Sequence, residues 1–353
     1  MKSKGLIHLT GKGLYCEPGD FYIDPWKPVK KAVLTHAHAD HTYRGNQNYL
    51  VPEEGKLLSR IRLGDEAQIE TSAYGKTVSL NGVKVSFHPA GHVLGSAQVR
   101  VEHKGEVWVA SGDYKLMPDR TCAAFEPLRC HHFITEATFG LPVYRWSPSE
   151  VIFEEINEWW RANREEGKAS VLFAYSLGKA QRVMNGIASG DRPIGNIYTH
   201  GAVERLTQAY RESGVDLPAT TYVGSVENKK EFVGSLIVAP PSAAGSTWLK
   251  RFGKHSTGFA SGWMMVRGAR RRRAVDRGFV LSDHADWPEL LKAIAATQAE
   301  TIYVTHGFSE ELVRWLGETG VNAKTLRTEY HGEGDLDEVL KDEFVEGLSE
   351  PPA

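Results

Sequence analysis

What the chain lacks narrows the field first. Its 353 residues hold three cysteines, Cys16, Cys122 and Cys130. That is too few for a disulfide framework, and the spacing is not that of a paired zinc motif, so a reduced, cytosolic protein is expected. Cys130 stands beside His131 and His132, but no fourth ligand is in sight, and buried or inert thiols are the simpler reading. No apolar run approaches the roughly 18 residues of a membrane span. Met1-Lys2-Ser3-Lys4-Gly5 leads into no apolar signal segment. A soluble, cytoplasmic protein with no membrane partner is the expectation. A strong charge of one sign is also missing, since the formal net charge is −2. That figure conceals two unlike parts: residues 329–353 carry nine acids against Lys341 alone, while residues 1–328 carry 41 bases and 35 acids. A mildly basic body suits a polyanionic ligand and equally an ordinary solvated surface. The length allows two domains, or one domain with a large insertion, and 41% apolar residues can build a sizeable core.

What is present centres on Thr35-His36-Ala37-His38-Ala39-Asp40-His41, four potential metal ligands directly after the apolar run Ala32-Val33-Leu34. A strand ending in His-x-His would put both imidazoles on one side, because side chains alternate with period two. Asp40 and His41 could then supply a second cation from the turn. Imidazole with carboxylate suits zinc, manganese or iron, and no thiolate selects zinc outright. Further on, residues 77–101 alternate apolar and polar around Asn81-Gly82, a hairpin signal, and run into His92 within Ala90-Gly91-His92-Val93-Leu94-Gly95-Ser96. The buried-type strand Val107-Trp108-Val109-Ala110 leads to Ser111-Gly112-Asp113. A carboxylate at Asp113 has two oxygens and can bind two cations roughly 3.5–4 Å apart.

The string His36-x-His38-x-Asp40-His41 is similar to the signature of the metallo-β-lactamase fold. That resemblance implies that His92 is the third histidine of the first metal site and Asp113 the bridging carboxylate. It also implies that Asp24, twelve residues before His36, orients the ligand loop by hydrogen bonding.

The rest of the chain resembles one branch of that superfamily. Ser147-Pro148-Ser149-Glu150 reads as a capping box with proline at the first helical position. It opens a helix with Ile152, Ile156 and Trp159 on its buried face, ending at Gly167. A strand at 170–175, a helix at 178–189, a strand at 197–199 and a helix at 203–213 then alternate, as in a parallel α/β domain. Within it, Phe173-Ala174-Tyr175-Ser176-Leu177-Gly178-Lys179-Ala180-Gln181 is similar to the Phe-Ala-x-Gly-Arg/Lys-Ala-Gln segment of the β-CASP nucleases, which cut nucleic acid. A helix N-terminus there could hold a phosphate with Ser176, Gly178 and Lys179; the plainer alternative is strand-to-helix packing with Lys179 solvated. Glu136, in Thr135-Glu136-Ala137-Thr138-Phe139-Gly140, resembles the next β-CASP position. His284, in Ser282-Asp283-His284-Ala285-Asp286, and His306, in Val304-Thr305-His306-Gly307, resemble the last two. Thr199-His200-Gly201 repeats the tripeptide around His306. His306 is taken as the metal ligand because it ends a strand after the Ser-x-His-Ala-Asp helix start, and His200 is left as a candidate for facing substrate. Arg267, Arg270, Arg271, Arg272 and Arg273 come after Ser261-Gly262-Trp263-Met264. They read as phosphate contacts on a strand and loop or as a solvated face. This run looks close to the bacterial DNA-ligase-associated DNA exonuclease group.

Taken together, the fold class expected is α/β: a metallo-β-lactamase αββα sandwich from residues 1–145 and 280–353, the latter with an acidic C-terminal tail, and a β-CASP α/β domain inserted at 146–279. The resemblance implies two divalent metal ions, Zn or Mn, and an active site between the domains. The same resemblance implies Asp40, Glu136 and His284 as its catalytic residues, with His284 as proton donor paired to Glu136. It implies a DNA substrate, single-stranded or at DNA ends, exonuclease action in repair, and functional association with a DNA ligase and helicase. The alternative is a β-CASP ribonuclease in RNA 3′-end processing. A metal-free scaffold is opposed by seven intact ligand positions, and a small-molecule hydrolase by the insertion.

Overall fold

The computed structural model describes residues 5–188, 194–266 and 275–330. They fall into two units, one running up to Arg145 and resuming at Asp283, the other spanning Trp146–Ser282.

The first unit begins with short strands: β1 (Ile7–Thr10), β2 (Gly13–Cys16), β3 (Phe21–Ile23), β4 (Lys31–Val33), β5 (Asn48–Pro52) and, after helix α1 (Lys56–Leu63), β6 (Ile69–Ser72). They form one sheet in chain order, antiparallel through β3 and parallel from there on. A second sheet opens with β7 (Val78–Leu80) and β8 (Val83–Pro89), joined at Asn81 and Gly82, whose φ values of 47° and 81° give the type I′ turn that this dipeptide favours. It continues through β9 (Ala97–His103) and β10 (Glu106–Ala110) to β11 (His132–Ala137), which lies parallel to β10. The two sheets meet face to face because alternate residues are apolar: Val83, Val85, Phe87, Val99 and Val101 pack on Leu14, Phe21, Ile23, Val33 and Leu50.

In the second unit, α2 (Ser149–Glu165) leads to β12 (Ala169–Phe173), α3 (Lys179–Ile187), β13 (Ile197–Thr199), α4 (Gly201–Glu212), β14 (Thr221–Tyr222), β15 (Leu236–Ala239), β16 (His255–Ala260) and β17 (Arg277–Phe279). The sheet is entirely parallel, in the order β14-β13-β15-β12-β16-β17. Both faces are covered, so β15 reads Leu236-Ile237-Val238-Ala239 without a polar break. Two local expectations need correction. The helix α2 starts one residue later than a capping box would place it, with Pro148 as its cap and no side-chain cap bond; Ser149 is buried instead and accepts a hydrogen bond from Arg182 Nη2 at 3.0 Å. Gly262–Met265 is a 3₁₀ turn capped by Ser261 rather than a strand.

Back in the first unit, Asp286 caps α5 (Trp287–Thr297) by accepting from Glu289 N at 2.9 Å. His284 therefore lies in the loop two residues before the cap, not on the helix. The strand β18 (Thr301–Gly307) then pairs in parallel with β11, and after α6 (Ser309–Glu318) the strand β19 (Ala323–Thr325) completes the order β19-β18-β11-β10-β9-β8-β7. Leu290, Ala293, Ile294, Leu312 and Leu316 of α5 and α6 cover the far face of this sheet. Ala32, Leu34, Tyr49 and Val51 bury the far face of the first sheet with Leu63 of α1. The first unit is thus four layers, helix, sheet, sheet and helix. Among the described residues no helix is long and apolar enough to cross a membrane.

Candidate metal centre

The strand β4 stops at Val33, so strand alternation does not align His36 with His38. A pinned loop does. Leu34 N donates to Leu50 O at 3.0 Å and Ala97 N to Thr35 O at 2.8 Å as the chain leaves the sheet. His41 N and Thr42 N then close a turn on His38 O, and Thr42 Oγ1 donates to His36 O at 2.6 Å. Beneath the loop, Asp24 accepts from Thr35 N at 2.8 Å, Thr35 Oγ1 at 2.6 Å and His41 Nδ1 at 2.8 Å. With Nδ1 committed to that carboxylate, His41 presents Nε2 to the site. Gly112, at φ 58°, lets the Asp113 loop approach: a Cβ there would lie 2.7 Å from the Cβ of Thr35.

Two sets of donors meet at Asp113. On one side, His38 Nδ1 lies 3.1 Å from His36 Nε2 and 3.0 Å from His92 Nε2. Asp113 Oδ2 is 3.6 Å from His36 Nε2 and 3.8 Å from His92 Nε2. His92 is held by a hydrogen bond from Nδ1 to the Asp283 carbonyl at 2.9 Å, which leaves the Nε2 lone pair for the site. On the other side, Asp113 Oδ1 is 3.6 Å from His41 Nε2 and 3.3 Å from His306 Nε2, and Asp40 Oδ2 is 3.6 Å from His41 Nε2. Four donors around a cation at ~2.1 Å are spaced roughly 3.4 Å apart in a tetrahedron. The first set comes near this, its four donor atoms all within 4.8 Å of one another, while the second is a looser group in which His41 and His306 each approach Asp113 and His41 approaches Asp40. His41 Nε2, His306 Nε2 and Asp113 Oδ1 are moreover buried without a hydrogen-bond partner, and orphaned buried polar atoms are costly unless something such as an ion satisfies them.

The electrostatics favour the binding forms of Asp113, His36 and His92. His41, which burial lowers, is raised to about 10 by Asp40, Asp113 and Asp24, and so carries a proton until a cation displaces it. Burial pushes the Asp113 carboxyl up, but His41, His284 and His306 around it hold it well below the usual carboxylate range. Burial, followed by the charge of His41, keeps His36 well below the ordinary imidazole value. Burial, followed by His284, brings His92 down to about 4. Neutral imidazole is the form that binds a metal.

Beside this centre, His284 Nδ1 meets Glu136 Oε2 at 2.9 Å. Glu136 also accepts from Tyr114 N at 2.8 Å and from Thr138 Oγ1, and both members of the pair are 1% exposed. His284 comes within 4.8 Å of ligand atoms of Asp113, so distance alone would allow it as a ligand.

The second unit departs from expectation. Lys179 is fully buried with Nζ 4.5 Å above the Tyr175 ring, not solvated. The amide of Gly178, the residue that caps α3, donates to Gln181 Oε1 at 2.8 Å and so is satisfied by its own helix. Ser176 is buried as well. His200 caps α4 through Nδ1, which accepts from Ala202 N at 3.2 Å. Of the two histidines in the repeated tripeptide, His306 is the one that stands beside Asp113. Arg267 and Arg270, Arg271, Arg272 and Arg273 lie outside the described residues. One neighbour of the centre carried no sequence signal: Tyr330 stacks on His41 with ring centroids 4.6 Å apart.

The arrangement offers, in a mixed α/β chain, a four-donor group able to hold a cation, with further imidazole and carboxylate donors beside it. No protein-family model matches the sequence. A probable DNA ligase of Opitutus terrae is 31% identical over 314 residues, covering 88% of this chain and 30% of that protein. Endoribonuclease YSH1 of Saccharomyces cerevisiae is 25% identical over 224 residues, covering 54% of this chain and 28% of the relative. An RNase J-like protein of Methanocaldococcus jannaschii is 26% identical over 215 residues, covering 52% and 50% respectively. The chain thus spans a half or less of each of these relatives. A crystal structure of a protein of unknown function from Enterococcus faecalis V583 matches with a TM-score of 0.58 at 12% identity, over 85% of this chain and 80% of the other, and shows a shared fold. The relatives point to a metallo-β-lactamase/β-CASP family.

Proposed function

We propose that the chain is a two-metal-dependent nuclease of the metallo-β-lactamase type with an inserted β-CASP domain, hydrolysing DNA phosphodiester bonds as a repair exonuclease. The observation that carries the reading is Asp113, with one oxygen toward His36 and His92 and the other toward His41 and His306. In this reading His36, His38, His92 and Asp113 hold one cation, and Asp40, His41, His306 and Asp113 the other. When bound, two such ions, Zn or Mn, supply an activated water for in-line attack and neutralise the phosphoryl oxygens. Asp40 takes a proton from the attacking water. Glu136 holds Nδ1 of His284, and His284 gives a proton through Nε2 to the departing oxygen, a contribution of order 10²–10⁴ in rate. DNA is favoured by the relative named a probable DNA ligase, which matches over 88% of the chain. Cytoplasmic action alongside a DNA ligase and helicase belongs to the same reading.

A second reading, an RNA-processing nuclease, is favoured by the relatives named endoribonuclease and RNase J-like. One assay separates them: metal-stripped protein is given Mn²⁺ or Zn²⁺ and labelled single- and double-stranded DNA and RNA. Metal-dependent shortening of DNA from an end is the expected result. Cleavage of RNA alone would replace the DNA reading, and inertness toward all four substrates with both metals would end the nuclease proposal.

A further inference from the structure

We infer that Tyr330 is a positioning residue for the second cation site; the inference rests on the two-metal reading above. Its ring lies on His41, centroids 4.6 Å apart and planes 18° from parallel, and meets His306 edge-on at 5.9 Å. Trp26 closes the other side, edge-on at 5.5 Å. The Tyr330 hydroxyl donates to the Asp24 carbonyl at 3.0 Å, and the side chain is buried.

These contacts do something that Asp24 cannot do alone. The hydrogen bond from His41 Nδ1 to Asp24 fixes a direction within the imidazole plane, but leaves the plane free to swing about that direction. A flat aromatic face fixes the plane. The two constraints together aim Nε2 at the space shared with Asp40 and Asp113. The hydroxyl acts on the other partner: Asp24 sits at φ 41°, a left-handed conformation sparsely used by residues other than glycine, and Tyr330 ties its carbonyl. One side chain therefore grips both halves of the Asp24–His41 pair. In the first histidine set, His36 Nδ1 lies 3.0 Å from Thr35 Oγ1, which itself donates to the Asp24 carboxylate, and His92 rests on the Asp283 carbonyl. Tyr330 contacts His41, His306, Trp26 and the backbone carbonyls of Ile23 and Asp24.

The test is a calorimetric titration of the metal-stripped full chain with Zn²⁺ alone, with bound metal counted by mass spectrometry after dialysis, for wild type, Tyr330→Phe and Tyr330→Ala. Wild type should take up two cations. Losing an outer partner of a ligand weakens metal binding by roughly 10–100-fold. Tyr330→Ala should therefore bind the first cation as wild type does and the second about 10–100-fold more weakly, and Tyr330→Phe, which keeps the stacked ring, should lose less. Wild-type affinity for both cations in Tyr330→Ala, or equal weakening of both, overturns the inference. Should circular dichroism show Tyr330→Ala unfolded, Tyr330→Phe decides: weakening confined to the second cation supports the role, and wild-type affinity for both refutes it. A wild type that takes up fewer than two cations refutes the two-metal reading instead.

Discussion

Replacing Glu136 by glutamine preserves the shape of the side chain and removes its charge, and the hydrogen bonds around it decide the effect on rate. The carboxylate receives three donors: Tyr114 N on Oε1, Thr138 Oγ1 on Oε2, and His284 Nδ1. The first is a backbone donor that cannot turn, so the amide oxygen takes the Oε1 position and the amide NH₂ faces Thr138 and His284. The threonine hydroxyl can rotate to accept. His284 can accept only by giving up its Nδ1 proton, which leaves a neutral ring without the anion that favours its cationic form. A hydrogen bond to a charged group is worth about 1.5–3 kcal/mol, so a pair acting in the transition state predicts a rate lower by roughly 10–150-fold. His284→Ala, which removes the donor itself, should cost roughly 10²–10⁴-fold. If the two act as one unit, the double variant is no slower than His284→Ala alone. Single-turnover cleavage with metal counting measures all three, and each variant should keep both cations and bind substrate nearly normally. Additive rate losses would refute the pairing. One cation lost from His284→Ala while Glu136→Gln keeps both would make His284 a ligand.

Other expectations rest on the same geometry. Asp113→Ala should abolish nuclease activity and lower metal content, since no other carboxylate among the described residues reaches toward both histidine sets; activity with normal occupancy would sink the assignment. Asp24→Ala leaves the buried Thr35 N–H and His41 Nδ1 without their acceptor, at a cost of about 1–3 kcal/mol each. The metal-free protein should melt at a lower temperature and bind its second cation roughly 10–100-fold more weakly, and an unchanged melting curve would contradict this. For the arginine run, replacing Arg270 and Arg272 with alanine should flatten the slope of log K against log salt by roughly 0.7–0.9 per lost phosphate contact; an unchanged slope makes it a solvated face.

What could be read from the sequence was what is local. The ligand string at 36–41, the Asn81-Gly82 hairpin and the strand–helix alternation after Trp146 are each written within a few neighbouring residues. What could not be read depends on chain segments far apart. The Asp283 carbonyl that fixes His92 lies 191 residues away, and the Tyr330 hydroxyl on Asp24 lies 306 residues away; neither contact uses a residue type that announces it. Lys179 shows a different limit. A lysine at a helix start suggests a phosphate, yet this one is buried over an aromatic ring, because burial is decided by tertiary packing rather than by residue type.

The parallel pairing of β11 with β18 joins His132 to Thr301 and closes a span of about 170 residues. Closing so long a flexible chain costs on the order of 4–5 kcal/mol in conformational entropy. The 137 residues of the inserted unit form a sheet with cores of their own, so once that unit has folded its two ends no longer wander independently. The insertion thereby becomes a splint for the strand that delivers His306. Five of the seven candidate ligands lie within the first 92 residues, before the insertion begins, while His306 is the last to arrive. A nascent or truncated chain would carry the first histidine set and only part of the second. Completion of the proposed second donor set is then a report that the whole described chain has folded.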